Sequence, residues 1–210
     1  MTRVITLWRC RLADESPAQM KHDIVSFDSE ELILVDAQDH ELGYCSKAQC
    51  HDGDGVLHRA FSLFVFDRRG RVLLQQRSAQ KRLWPLYWSN SCCSHPRRGE
   101  DMDQAAERRL YQELHLRADL RFLYKFTYQA PYGDLGAEHE LCWVYAGTTS
   151  DEVRANANEI AAWRFIAPET LDAELAAAPE RFTPWLKLEW NRIRRDFLTE
   201  GGKEPAWASR

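Results

Sequence analysis

The sequence predicts an α+β domain, a mixed β-sheet with helices beside it. Three observations carry that prediction. Several segments alternate their apolar residues with the two-residue period of a strand. Others repeat apolar residues every three or four positions, as one face of a helix does. And 210 residues with 44% hydrophobic content and eight tryptophans suffice for the core of one good-sized domain.

The elements follow in chain order. Residues 1 to 28 are polar and aperiodic and read as an N-terminal arm, with the domain itself over 29–199. "ELILVDAQDHELGY" reads as strand, turn, strand. In "AFSLFVFDRRGRVLLQQR", Phe61, Leu63 and Val65 alternate with Ser62, Phe64 and Phe66. A turn from Asp67 to Gly70 and a second strand with Val72 and Leu74 complete an antiparallel hairpin. "GEDMDQAAERRLYQELHL" reads as a helix striped by Met102, Ala106, Leu110 and Leu114, with Asp101 and Asp103 at its positive end. Arg109 and Glu113 are four apart and share a face.

"FLYKFTYQA" alternates, with Phe122, Tyr124, Phe126 and Tyr128 on one side. In the strand "EHELCWVYAG", Glu138, Glu140, Cys142 and Val144 share one face and His139, Leu141 and Trp143 the other. "IAAWRFI" is a further strand and "PETLDAELAAAP" a short helix. The last helix starts at Thr183 as N-cap and Pro184 as first residue, with Leu186, Trp190, Ile193 and Phe197 as its core stripe. Trp185 lies about 100° off that stripe and needs another surface to cover. Residues 200–210 read as a frayed tail.

Composition excludes several classes. A net charge of −4 argues against bulk attraction to nucleic acid. No run of 18 apolar residues exists to span a membrane. The N-terminus lacks a secretory signal, so a cytoplasmic location and a monomer are expected. The six cysteines then read as reduced thiols, each able to serve simply as a small buried hydrophobe.

Three constellations stand out. His51, His58 and His95 with Glu138 and Glu140 suit a borderline divalent ion such as Mn²⁺ or Zn²⁺, although their spacing is no compact signature. His139 points away from both glutamates and is left out. Lys47, Arg77, Lys81, Arg108 and Arg109 form a basic set able to hold an anion. Third, the helix "GEDMDQAAERRLYQELHL" resembles a degenerate Nudix box. Arg108-Arg109 stand where the box has Arg-Glu, Gln112-Glu113 where it has Glu-Glu, and His115 where it has the helix-ending glycine. Such a box implies a fold that keeps diphosphate binding and has lost diphosphate cleavage.

The segments "KAQCH", "LHRAF", "LLQQRSAQKRLWP", "WSNSCCSHP", "GE" with "AAERRLYQEL", "YQA", "EHELCWVYA" and "FTPW" together resemble the type I isopentenyl-diphosphate isomerases, a Nudix-fold family. The resemblance covers about residues 30 to 198. It implies a Nudix-like mixed sheet flanked by helices, with extra N-terminal strands and a C-terminal helix, and a small prenyl diphosphate as substrate. It implies Cys93 and Glu140 as catalytic residues, Tyr128 as the assistant of Glu140, and Trp185 as the aromatic facing a carbocation. It implies His51, His58, His95, Glu138 and Glu140 as ligands of a tightly held Mn²⁺ or Zn²⁺, and Glu113 as the residue holding Mg²⁺ at the diphosphate. Lys47, Arg77, Lys81 and Arg109 would bind the diphosphate, Arg108 having a lower claim. Cys92 is left to packing.

The chemistry needs such residues. Moving an unactivated double bond takes one group to deliver a proton and another, across a dry pocket, to remove one. A Nudix hydrolase is the rival enzyme, opposed by the gap in the box. A binding-only Nudix module has no use for Cys93, Glu140 and the five ligands together. A Cys93–His95 hydrolase lacks an orienting partner and an oxyanion site.

Overall fold

The sheet is organised around one strand. The computed structural model describes residues 23–198, and the remaining parts of the expected arm and tail lie outside the described residues. β1 (Glu31–Val35) and β2 (Glu41–Ser46) form a hairpin, followed by the single-turn helix α1 (Lys47–Cys50). Then comes β3 (His58–Phe66), which is parallel to β8 (Ala137–Thr148) along its whole length. The other edge of β3 is shared by β1 at His58, by β6 (Cys92–Ser94) from Phe61 to Leu63, and by β4 (Val72–Arg77) at Phe66. β7 (Arg121–Pro131) extends the sheet beyond β8; β9 (Ile160–Ile166) pairs along one edge of β4, and β5 (Trp88–Ser89) pairs Gln75 and Gln76 on its other edge.

The expected hairpin of β3 and β4 therefore exists only at its tip, where Phe66 pairs Val72. Ser91 explains why. Its Oγ accepts from the Val65 N–H at 2.8 Å and donates to the Leu73 carbonyl at 2.7 Å, a wedge between the two strands. The backbone groups that a hairpin would satisfy are met instead by the segment that carries Cys93.

Both faces of β3 are covered, so its apolar run is nearly continuous. Phe61, Leu63 and Val65 pack against α2 (Met102–Leu114) through Met102, Ala106, Leu110 and Leu114. Phe64 and Phe66 pack with Leu171 of α3 (Pro168–Ala177) and with Leu186, Trp190 and Ile193 of α4 (Pro184–Asp196).

α2 is capped by Asp101, whose carboxylate accepts from the Asp103 N–H at 2.9 Å. It ends on His115 at φ 55°, the left-handed cap that glycine usually fills. Thr183 takes the N-cap position of α4, but its hydroxyl contacts Ser89 Oγ at 3.2 Å and makes no capping bond. Phe122 departs from its expected side. A register shift between Phe122 and Tyr124 turns its ring onto Trp143 and Tyr145, the face opposite Tyr124 and Tyr128. Among the described residues no helix is long and apolar enough to cross a membrane.

Candidate active site

Strand register assembles the first part of the site. His58 on β3 lies opposite Glu140 on β8, and Glu140 lies opposite Tyr128 on β7. The three side chains form a row across three strands. Glu138, two residues before Glu140, shares its face as alternation requires. His51 closes the C-terminal end of α1, and His95 follows β6. One ligand atom from each of His51, His58, His95, Glu138 and Glu140 falls within 4.8 Å of all the others, and all five residues are buried.

The chemistry of this donor set fits a divalent cation. His51 Nδ1 lies 2.7 Å from the Lys47 carbonyl and His58 Nδ1 2.7 Å from the Val56 carbonyl. Each Nδ1–H therefore donates to a carbonyl, which leaves the Nε2 lone pair facing inward. The Nε2 atoms of His58 and His95 stand only 3.1 Å apart. Burial and the other imidazoles hold His58 down to about 4 and His95 well below the usual range, so both rings are neutral at neutral pH. For His51, burial opposes charge but the adjacent Glu138 outweighs it. Glu138 Oε2 is 2.8 Å from His51 Nε2, and His51 together with Arg77 holds the Glu138 carboxyl below the usual carboxylate range despite its burial. Burial and Glu138 together push Glu140 well above the carboxylate range. Converging lone pairs and two crowded acids are what a bound cation would resolve.

Tyr128 and Cys93 lie alongside. Tyr128 Oη donates to Glu140 Oε2 at 2.7 Å. Cys93 sits opposite Ser62 in the β3–β6 register, its Sγ 3.5 Å from Ser62 Oγ. Its thiol donates to Asn90 Oδ1 at 2.8 Å. Burial, reinforced by Glu189, keeps that thiol protonated well above the ordinary cysteine range. Cys93, Glu140, Tyr128 and Trp185 all line one cavity of about 340 Å³. Cys92 points the other way, into the α2 side of the core.

Trp185 is 3% exposed and belongs to the α4 side of the core, contrary to the expectation that the core leaves it unclaimed. It nevertheless lines the cavity. Its indole N–H reaches Ser89 Oγ at 3.0 Å and Asn90 Oδ1 at 3.2 Å. Sequence reasoning did not single out Asn90, which lay unremarked inside "SNSCCSHP". It is fully buried, and its amide N–H₂ donates to the Leu63 and Cys92 carbonyls, which aims Oδ1 at both Cys93 and Trp185.

The same cavity is also lined by the basic residues Lys47, Arg77, Lys81, Arg82 and Arg109. The Lys47 ammonium donates to Ser26 Oγ and the Lys81 ammonium to Glu159. Arg77 binds the Trp84 and Leu83 carbonyls at 3.0 and 2.9 Å and stands 5.2 Å from the Trp185 ring centre. Arg108 turns away to Glu100. Arg109, 3% exposed, pairs with Glu113 and reaches Glu159 at 3.5 Å. Glu113 lies behind Arg109, outside the cavity lining. Of residues 23–28 of the expected arm, Ile24, Ser26 and Asp28 line the cavity.

Residues 56–186 match the NUDIX domain family. A Photorhabdus laumondii protein called isopentenyl-diphosphate Delta-isomerase 1 is 41% identical over 166 residues, which is 78% of this chain and 94% of that one. Isopentenyl-diphosphate Delta-isomerase of Serratia proteamaculans is 45% identical over 157 residues, 74% of this chain and 87% of that one. The chain belongs to the Nudix-fold isopentenyl-diphosphate Delta-isomerases. Solved structures of lower identity share the fold. The crystal structure of DR0079 from Deinococcus radiodurans superposes with a TM-score of 0.65 at 23% identity, covering 78% of this chain and 98% of that one. A MutT protein from Methanosarcina mazei Go1 gives 0.56 at 13%, over 67% and 94%. Within this isomerase family, the His/Glu cluster makes the chain a divalent-metal binder.

Proposed function

We propose that the chain converts isopentenyl diphosphate to dimethylallyl diphosphate by protonating the alkene and deprotonating the resulting tertiary carbocation. The observation that carries this reading is the common cavity. A thiol, Cys93, and a carboxyl, Glu140, line one chamber that Lys47, Arg77, Lys81 and Arg109 line as well. An alkene needs an acid and a base on either side of it, and the diphosphate needs cations at a distance.

Lys47, Arg77, Lys81 and Arg109 anchor the diphosphate, and that remote binding orients the five-carbon chain toward Cys93 and Glu140. Glu140 and Cys93 exchange protons with the two ends of the allylic system, and Tyr128 supports the Glu140 proton through the hydrogen bond between them. Trp185 offers its π-face to the cationic centre, worth ~2 kcal/mol when water is excluded. Enclosure by Trp185 and Tyr128 keeps water from trapping the cation as an alcohol. His51, His58, His95, Glu138 and Glu140 would hold Mn²⁺ or Zn²⁺, whose positive charge would fix the Glu140 carboxyl and tune its acidity. Glu113, paired with Arg109, would hold Mg²⁺ that neutralises the substrate diphosphate.

An isomerisation assay in D₂O tests the proposal on wild type, Cys93→Ala and Glu140→Gln. Deuterium enters the product with wild type, and turnover is nearly abolished in both variants. Phosphate release with Mg²⁺ and no alkene shift, or full activity in Cys93→Ala, overturns it.

A further inference from the structure

Glu189 has no place in the chemistry above, and its position is costly. It sits on α4 one turn beyond Trp185, so both side chains leave the same face of the helix. The residue is 1% exposed. One carboxyl oxygen, Oε1, accepts from the Cys142 thiol at 3.6 Å; the other, Oε2, is buried with no hydrogen-bond partner. Burial pushes its pKa up to about 8, with only the Ser62 hydroxyl and the Cys142 thiol opposing, so the group is an uncharged acid at neutral pH. A buried polar group left partly unsatisfied lowers stability, and an apolar side chain of similar size would serve the core better. Something other than folding has to explain the carboxyl.

The neighbouring groups supply the explanation. Cys142 Sγ lies 3.4 Å from Ser62 Oγ, and Ser62 Oγ lies 3.5 Å from Cys93 Sγ. From Glu189 a short series of polar contacts therefore runs to the sulfur of Cys93. The Cys93 thiol also donates to Asn90. The sulfur thus has two polar neighbours, Asn90 and Ser62, and Ser62 in turn contacts Cys142, whose thiol reaches Glu189. We propose that Glu189 is a positioning residue for Cys93, its hydrogen bonding to Cys142 orienting Ser62 and through it the thiol. This rests on the reading of Cys93 as a proton carrier.

A neutral hydrogen-bonding role separates two substitutions. Glutamine has the same shape and hydrogen-bonds without charge; leucine fills the space and does neither. The test measures kcat, KM for isopentenyl diphosphate and melting temperature for wild type, Glu189→Gln and Glu189→Leu, with Cys93→Ala alongside. Glu189→Gln is expected within about twofold of wild type in kcat, less than the tenfold that ~1.4 kcal/mol of barrier represents. Glu189→Leu is expected to lose about tenfold in kcat (~1.4 kcal/mol of barrier) with KM unchanged, while its melting temperature holds or rises. Full kcat in Glu189→Leu overturns the inference, as does a loss that comes with a lowered melting temperature. An equal loss in Glu189→Gln and Glu189→Leu also overturns it, because the acid itself would then matter. Full activity in Cys93→Ala removes the underlying reading of the site, a result distinct from all of these.

Discussion

Gly136 is where the metal cluster meets a hard steric limit. It sits at φ +140° immediately before β8, and a Cβ there would lie 2.0 Å from the His51 carbonyl oxygen. Real Cβ contacts essentially never fall below 3.0 Å, so Gly136→Ala forces the two backbones apart by at least 1.0 Å, the difference between those distances. The Ala137 N–H to His51 carbonyl bond, 3.1 Å in the native protein, is strained or broken. The His51 ring follows its backbone because its Nδ1 is tied to Lys47 within the same turn. Metal–ligand bonds tolerate errors of only ~0.2 Å, so the displacement is several times what one ligand can absorb. Mn²⁺ affinity is expected to fall ~10–100-fold, the usual consequence of misaligning a ligand. Folding stability is expected to fall by ~2–3 kcal/mol, from the left-handed backbone and the lost bond. Calorimetric titration with Mn²⁺ gives the first number, and the shift of the melting temperature on adding Mn²⁺ gives an independent view. A Gly136→Ala protein that binds Mn²⁺ with native affinity refutes the argument that the β7–β8 turn sets the position of His51.

Three other outcomes are expected. His115→Gly relieves a non-glycine left-handed cap at the cost of the exposed contact between His115 Nδ1 and the Arg154 carbonyl; a net gain of ~0.5 kcal/mol should raise the melting temperature by ~1–2 °C with activity unchanged. Arg109→Met strands the buried Glu113 carboxylate and should lower stability by ~3–5 kcal/mol, most of it recovered in Arg109→Met/Glu113→Leu, as urea denaturation of both variants will show. The raised pKa of Glu189 makes stability depend on pH: between its ordinary 4.5 and about 8 the folded protein holds a proton that the unfolded chain has released, so raising pH favours unfolding across that window and not below it. Unfolding free energies of wild type and Glu189→Leu should accordingly diverge from pH 4.5 to about 8, and parallel profiles would contradict the assignment.

Local periodicity made much of this legible. Alternation alone puts Glu138 and Glu140 together on β8 and sends His139 to the other face, where its Nδ1 faces the Gly55 carbonyl. The four-residue stripe of α2 and the proline start of α4 were equally readable. The convergence of three histidines was not, because it depends on how α1, β3 and β6 meet, and no spacing encodes that. There the resemblance to a known family supplied what periodicity lacks. The split hairpin was hidden because the decisive contact comes from Ser91, a hydroxyl 18 residues from its acceptor Leu73. Phe122 was misplaced because a bulge shifts the two-residue count without leaving a glycine or proline to mark it. Glu189 was not singled out in the sequence; its spacing of four from Trp185 was the available sign.

The parallel alignment of β3 with β8 has a consequence for how the protein folds. His58 and Glu140 are direct partners although 82 positions separate them in the chain. Slippage by a single residue would present His139 or Leu141 to the histidines and bury the wrong side of the strand. An ion that rewards only the true alignment would penalise every slipped one. Metal capture then doubles as proofreading during refolding, and a chelator should slow the recovery of native strand pairing as well as of activity.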